Sequence, residues 1–157
     1  MRILTLVFWS RWLQALSGFL VIYGLTMVFI PEVMNRTLVG SLLYSNEETL
    51  LAEFIAAAGQ KSSFLNVLSG LLGTVSIGWA IQMAWIAGIP FRNSERWAWN
   101  GLATSVGVWA VLEFYFKLTD GITGIGLFAH FGLLLAFAIP LLATYRAFHG
   151  SAMIGAE

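Results

Sequence analysis

Four apolar stretches, each long enough to cross a lipid bilayer, occupy most of this 157-residue chain. A helix needs about 20 apolar residues to cross the hydrocarbon core of a membrane. The stretches cover residues 12–30, 63–89, 95–118 and 122–145. Because they leave only short connections, the sequence predicts one integral membrane domain, residues 1–157, built as an all-α bundle of four transmembrane helices.

The composition favours lipid over water as the solvent of most of the surface. Hydrophobic residues make up 59% of the chain and charged residues 10%, and the mean hydropathy is +0.81. A soluble domain carries about 25% charged residues. The formal net charge is zero, so we expect no nucleic-acid partner. The absence of cysteine rules out disulfides, thiol nucleophiles and cysteine-ligated cofactors, and no motif indicates another cofactor.

Local signals mark where these helices begin and end. Pro31 ends the first stretch and Pro90 the second, because proline cannot donate the hydrogen bond that continues a helix. Ser94 can cap the start of the third helix, where the carboxylate of Glu95 suits the positive helix end.

Proline and glycine also carry information inside the stretches. Pro140 lies within the fourth and leaves the carbonyl of Ala136 without its usual helical partner. Three glycines of the second stretch, Gly70, Gly73 and Gly78, permit close contact between helices.

The connection between the first two stretches, residues 31–62, predicts a short extramembrane helix at 46–58. Ser45 and Glu48 have the spacing of a capping box, and Gly59 can close the far end. One face of this helix is apolar: Leu50, Leu51, Phe54, Ile55 and Ala58. We expect the helix to pack over the outer end of the bundle.

The positions of lysine and arginine favour cytoplasmic termini. In that orientation the inner side holds Arg2, Arg11, Arg92, Arg96 and Arg146. The outer side holds Arg36, Lys61 and Lys117. Tryptophans at the inner helix ends fit an interfacial belt in the same layout.

Polar side chains within the stretches mark a candidate site, because a charge at the bilayer centre costs at least ~2.5–3.5 kcal/mol. Glu113 on the third helix and His130 on the fourth fall at comparable depth on antiparallel neighbours. Three further residues, Asn66, Tyr115 and Lys117, lie near that depth and are candidate ligand-binding residues. We expect Glu113 and His130 to share a pocket that opens toward the outer leaflet.

Two interpretations of this pair remain open. In the functional one, Glu113 and His130 handle a proton as catalytic acid and base, since histidine titrates near neutral pH. In the structural one, Glu113 neutralises Lys117 and His130 hydrogen-bonds across helices. One histidine with one or two carboxylates is too few for a metal centre, and no metal-ligand spacing is present.

The segment Gly78-Trp79, followed by residues 90–99 (PFRNSERWAW), resembles small uncharacterised bacterial membrane proteins of four helices, loosely DoxX-like. The resemblance covers the last three stretches and implies a four-helix bundle in the bacterial inner membrane. It implies no activity. The placement of acidic residues and a histidine among a few helices is also similar to the sterol-isomerase type of membrane fold.

Three functions are compatible with these features. The first is binding of a lipid-like or other hydrophobic molecule, or service as a subunit of a larger membrane assembly or homo-oligomer. The second is a membrane-embedded isomerase or cyclase that uses Glu113 and His130 on a lipid-soluble substrate. The third, a proton-coupled transporter, would be favoured by inverted repeats, which the sequence lacks.

Overall fold

The computed structural model describes the backbone of residues 2–34, 48–119 and 125–150. Side chains are described throughout these ranges except at 2–3, 48–65, 117, 125–127 and 129. The described part is all-helical: α1 (Arg2–Phe29), α2 (Pro31–Met34), α3 (Glu48–Gly88), α4 (Arg96–Thr119) and α5 (Ile125–His149). It contains no strand, which confirms the predicted all-α class.

Three helical segments of the described chain are long and apolar enough to cross a membrane: Leu4–Phe29, Asn66–Gly88 and His130–His149. Their outward surfaces carry large hydrophobic side chains, such as Phe19, Leu71 and Leu142. Such surfaces are stable in lipid and costly in water. The protein is therefore a helical bundle with the properties of a membrane protein.

The closest helix pair is α1 with α3, which run antiparallel. Buried residues of α1 recur at heptad spacing: Leu6, Ser10, Leu13, Ser17, Leu20, Gly24 and Met27. The matching series of α3 is Ser69, Gly73, Ala80, Met83 and Ala87. The hydroxyl of Ser10 donates to the carbonyl of Ala87 at 2.7 Å, which fixes the register. The small residues of the two series, such as Ser10 and Ala87, therefore face one another, as in tightly packed transmembrane pairs.

Gly24 and Gly73 form the tightest point of this pair. A Cβ added to Gly73 would lie 2.6 Å from the carbonyl oxygen of Gly24, and one added to Gly24 would lie 2.8 Å from that of Gly73. The two backbones therefore touch. Gly70 and Gly78 have nothing within 4 Å of such a Cβ, so only Gly73 of the three predicted contact glycines serves this packing.

The separate short helix expected at 46–58 is not confirmed. Residues 46–47 lie outside the described ranges, and α3 runs as a single helix of 41 residues from Glu48 to Gly88. It therefore continues through Gly59, the predicted helix end. A glycine inside a helix costs about 1 kcal/mol relative to alanine, which the hydrogen bonds of the turns on either side can absorb. The apolar face proposed for this segment involves side chains outside the described set.

The turn between α3 and α4 differs from the prediction by one residue. Helix α4 begins at Arg96, and the amide of Ala98 donates to the carbonyl of Glu95, so Glu95 rather than Ser94 occupies the cap. Ser94 instead has a φ of 61°, a left-handed conformation that lets the chain reverse. The amide of Glu95 donates to the carbonyl of Pro90 and closes this turn.

Tryptophan indoles join the helices to one another. Trp79 of α3 donates to the hydroxyl of Ser105 of α4 at 2.8 Å, and Trp99 of α4 donates to the carbonyl of Leu141 of α5 at 2.9 Å. Arg96 donates to the carbonyl of Phe148 in the last turn of α5, where backbone carbonyls lack helical partners. These bonds order the helices as α1, α3, α4 and α5 around the bundle. Together with the bond from Ser10 to Ala87, they place the start of α1 and the end of α5 at the same end as the turn before α4.

Candidate functional site

The predicted contact between Glu113 and His130 is confirmed. The Nε2 atom of His130 lies 2.8 Å from Oε1 of Glu113, joining α5 to α4. The two side chains are 29% and 28% exposed, respectively. A hydrogen bond of this length is strong when one partner is ionised, and a surrounding of low dielectric strengthens it further.

The pair is lined mainly by apolar side chains of the same two helices: Trp109, Ala110, Phe114, Phe131 and Leu134. Phe114 and Phe131 meet edge to face, with ring centroids 5.0 Å apart. Trp109 lies 6.3 Å from Trp79 of α3, and Trp79 lies 6.4 Å from Phe137. An aromatic cluster in the bundle interior therefore adjoins the site.

The space beside the pair is small. Its volume is about 10 Å³, close to the smallest that holds one water molecule. A lipid-sized molecule cannot be enclosed there. What fits is one polar atom of a larger molecule whose remainder lies outside the helices, or a water in its place.

Tyr23 of α1 lies near the pair, although it is not among the residues that line the pocket. Its half-buried phenol is close enough to Glu113 for the carboxylate to act on it electrostatically. Tyr23 is not among the site residues predicted from the sequence, although it is the only tyrosine of the first apolar stretch. A buried hydroxyl is also costly in lipid unless it is hydrogen-bonded. A search for hydroxyl groups as well as charges within the apolar stretches would therefore have identified Tyr23.

The other predicted site residues do not line this pocket within the described part of the chain. Tyr115 is 68% exposed on the outward face of α4. Asn66 is half-buried on α3. In the register of α1 and α3 it lies opposite Pro31, which is about two helical turns beyond Tyr23 along the chain. Asn66 is therefore not at the depth of the pair. The side chain of Lys117 lies outside the described set, so its predicted pairing with Glu113 stays a prediction.

The arrangement suits exchange of a proton or a hydrogen bond with a polar group. A carboxylate that holds an imidazole orients the ring and stabilises its protonated form, as general acid–base sites require. Among the described residues, no group of three or more acidic or histidine side chains is placed to hold a metal ion.

Comparisons with known proteins add no family to this description. No protein-family model, no curated protein and no solved structure matches the chain. The function must therefore be inferred from the geometry of the site.

Proposed function

We propose that this protein is a small polytopic membrane protein that binds a lipid-like molecule through the Glu113–His130 pair. The observation that carries the proposal is the 2.8 Å contact between an acidic and a basic side chain at the edge of an aromatic-lined space. Such a pair is expensive in lipid and is expected to mark a functional site.

The size of the space limits how the ligand binds. A hydroxyl, carbonyl or carboxyl group would occupy the water-sized space beside the Glu113–His130 pair and hydrogen-bond to it. The apolar remainder would lie on the outward surface of α4 and α5, where Leu112, Phe128 and Leu135 are exposed. This mode requires no enclosed cavity, in agreement with the small volume.

A membrane-embedded isomerase or cyclase is the second candidate, since the same pair could move a proton on a bound lipid-soluble substrate. The favouring observation is the direct bond from the imidazole to the carboxylate, which suits an acid–base role. The two functions differ in one respect: a binding protein returns its ligand unchanged, whereas an enzyme converts it.

The membrane arrangement is part of the proposal. We infer that α4 is a fourth span, because its 24 residues extend about 36 Å and it packs antiparallel to α5. We also infer an inner-membrane location with both termini cytoplasmic, in keeping with the distribution of arginine. In this orientation the site lies toward the outer leaflet.

Photo-crosslinking tests the proposal. Purified protein in nanodiscs would be exposed to diazirine-bearing fatty acid, fatty alcohol and phosphatidylcholine, and labelled peptides would be mapped by mass spectrometry. We expect labelling on α4 and α5 around Trp109 and Leu134, and its loss in Glu113→Gln and in His130→Ala. The double variant should be little worse than either single one, because groups that act as a unit are not additive.

Matched controls exist at the opposite end of the bundle. Glu95→Gln and His149→Ala remove the same chemical groups away from the site, and labelling should persist in both. Uniform labelling of all outward helix faces, unchanged by Glu113→Gln, would reject the binding site and leave a role as an assembly subunit. Chemical conversion of the probe by the parent protein, lost in Glu113→Gln, would favour the enzyme.

A further inference from the structure

A second feature lies at the other end of the bundle. The residues Gln14, Ala84, Trp85, Gly88 and Ile89 line an open groove of about 310 Å³ between α1 and α3. This volume is far larger than the space beside Glu113, and Gln14 supplies a polar group within it. Because Gly88 has no side chain, the amide of Gln14 lies against the backbone of α3: a Cβ there would lie 2.6 Å from Nε2 of Gln14.

Two arginines flank this groove. Arg11 precedes Gln14 by three positions on the same face of α1, and helical side chains lean toward the helix N-terminus. Arg11 therefore lies on the face of α1 that carries Gln14, nearer than Gln14 to the turn after α3, and that turn carries Arg92 three positions after Ile89. Both arginines are exposed, and neither forms a hydrogen bond or ion pair with another residue of the described part.

The charge of the two bundle ends is opposite, although the chain as a whole is neutral. The end that carries the groove has Arg2, Arg11, Arg92, Arg96 and Arg146. Its described acidic residue, Glu95, accepts a hydrogen bond from the indole of Trp97 at 2.6 Å. The described helices at the other end carry more acid than base: Glu32, Glu48, Glu53 and Glu113 against Lys61 and Lys117.

We propose that this groove binds the headgroup of an anionic phospholipid. The guanidinium groups of Arg11 and Arg92 would hold the phosphate oxygens, since arginine matches phosphate geometry. The amide of Gln14, exposed in the groove, would bond the glycerol or ester oxygens. Trp85, 66% exposed, stands where an indole prefers to lie, at the boundary of headgroups and acyl chains. Basic sites between transmembrane helices are known to bind such headgroups.

Native mass spectrometry of the full chain in detergent tests the proposal, with phosphatidylglycerol or phosphatidylcholine added as the probe. We expect preferential binding of one phosphatidylglycerol. Arg11→Gln and Arg92→Gln should each weaken it about fivefold, the effect expected of one arginine near an anionic surface. Arg146→Gln is the matched control, because it removes the same charge at the same end from α5, and it should change the affinity less than twofold.

Filling the groove gives an independent test. Gly88→Leu keeps every arginine but occupies the space beside Gln14, so it should abolish binding of phosphatidylglycerol while α-helical content and monodispersity persist. Should Gly88→Leu not fold, Gln14→Leu removes the polar contact at the surface and should weaken binding severalfold. Equal binding of phosphatidylcholine, an equal loss in Arg146→Gln, or displacement of the lipid by millimolar inorganic phosphate would each overturn the proposal.

Discussion

The indole nitrogen of Trp12 donates a 3.0 Å hydrogen bond to the carbonyl oxygen of Ala136, the group that Pro140 leaves without its helical partner. Pro140 is inside α5 and is fully buried against the other helices. The proline therefore creates an acceptor at a defined place on α5, and a tryptophan of α1 satisfies it. This contact docks the first helix of the chain on the last.

Trp12→Phe is expected to lower the free energy of unfolding by about 1 kcal/mol, the typical value of a hydrogen bond between membrane helices. In Pro140→Ala the amide of residue 140 can bond to Ala136 again, so Trp12→Phe should cost less in that background. Unfolding of the four proteins in mixed micelles measures the coupling. Trp85→Phe, which alters an exposed indole, is the control, and equal losses in both backgrounds would contradict the role of Trp12.

Gly73→Ala is expected to destabilise the protein by about 1–3 kcal/mol, the usual cost of overpacking. The new Cβ meets the backbone of Gly24 at 2.6 Å, and backbone cannot rotate away as a side chain can. Gly70→Ala, one turn away on the same helix with open space around it, should be neutral or stabilising by up to about 1 kcal/mol. Thermal unfolding in detergent compares the two, and equal midpoints would show that α1 and α3 are not in backbone contact.

Signals that depend on one residue and its near neighbours predicted much of this fold. Proline marked the end of α1 before Pro31 and the unpaired carbonyl of Ala136. The donor to that carbonyl lies 124 positions away, and nothing in the local sequence of Trp12 indicates it. The helix end predicted at Gly59 was wrong, because glycine permits a helix end without requiring one.

The candidate site was predictable because the cost of polarity in lipid is a strong constraint. That cost identified Glu113 and His130, and the short connection between their helices made them neighbours at one depth. It could not identify Trp109 or Phe131, because aromatic residues are equally stable facing lipid. Only the orientation of each helix, set by packing over its whole length, decides which of them line the site.

The contact between Glu113 and His130 should appear as an energetic coupling. Glu113→Gln and His130→Ala are each expected to be destabilising, with a coupling of about 0.5–3 kcal/mol in the double-mutant cycle. A second cycle with Glu113→Gln and Lys117→Met tests the competing partner one turn away. If Glu113 couples with Lys117 and not with His130, the pair has the structural role rather than the functional one.

The topology can be read with single cysteines, because the chain has none of its own. Ser94→Cys lies in the exposed turn before α4, and Thr119→Cys lies at its far end, also exposed. If α4 crosses the membrane with both termini cytoplasmic, an impermeant maleimide added to intact cells should label Thr119→Cys alone. Permeabilised cells should show both labelled, and the parent protein neither.

Fusions give an independent measure of the same arrangement. A reporter joined after Glu157 should behave as cytoplasmic and one inserted near Ser45 as external, because α1 and α3 are antiparallel and Ser45 lies in the connection between them.

Labelling of Ser94→Cys instead of Thr119→Cys would invert the orientation and turn the Glu113–His130 site toward the cytoplasm. Labelling of both from outside would mean that α4 does not span the membrane. The site would then lie at the membrane surface, where a carboxylate and an imidazole cost little, and the pair would no longer indicate a lipid-like ligand.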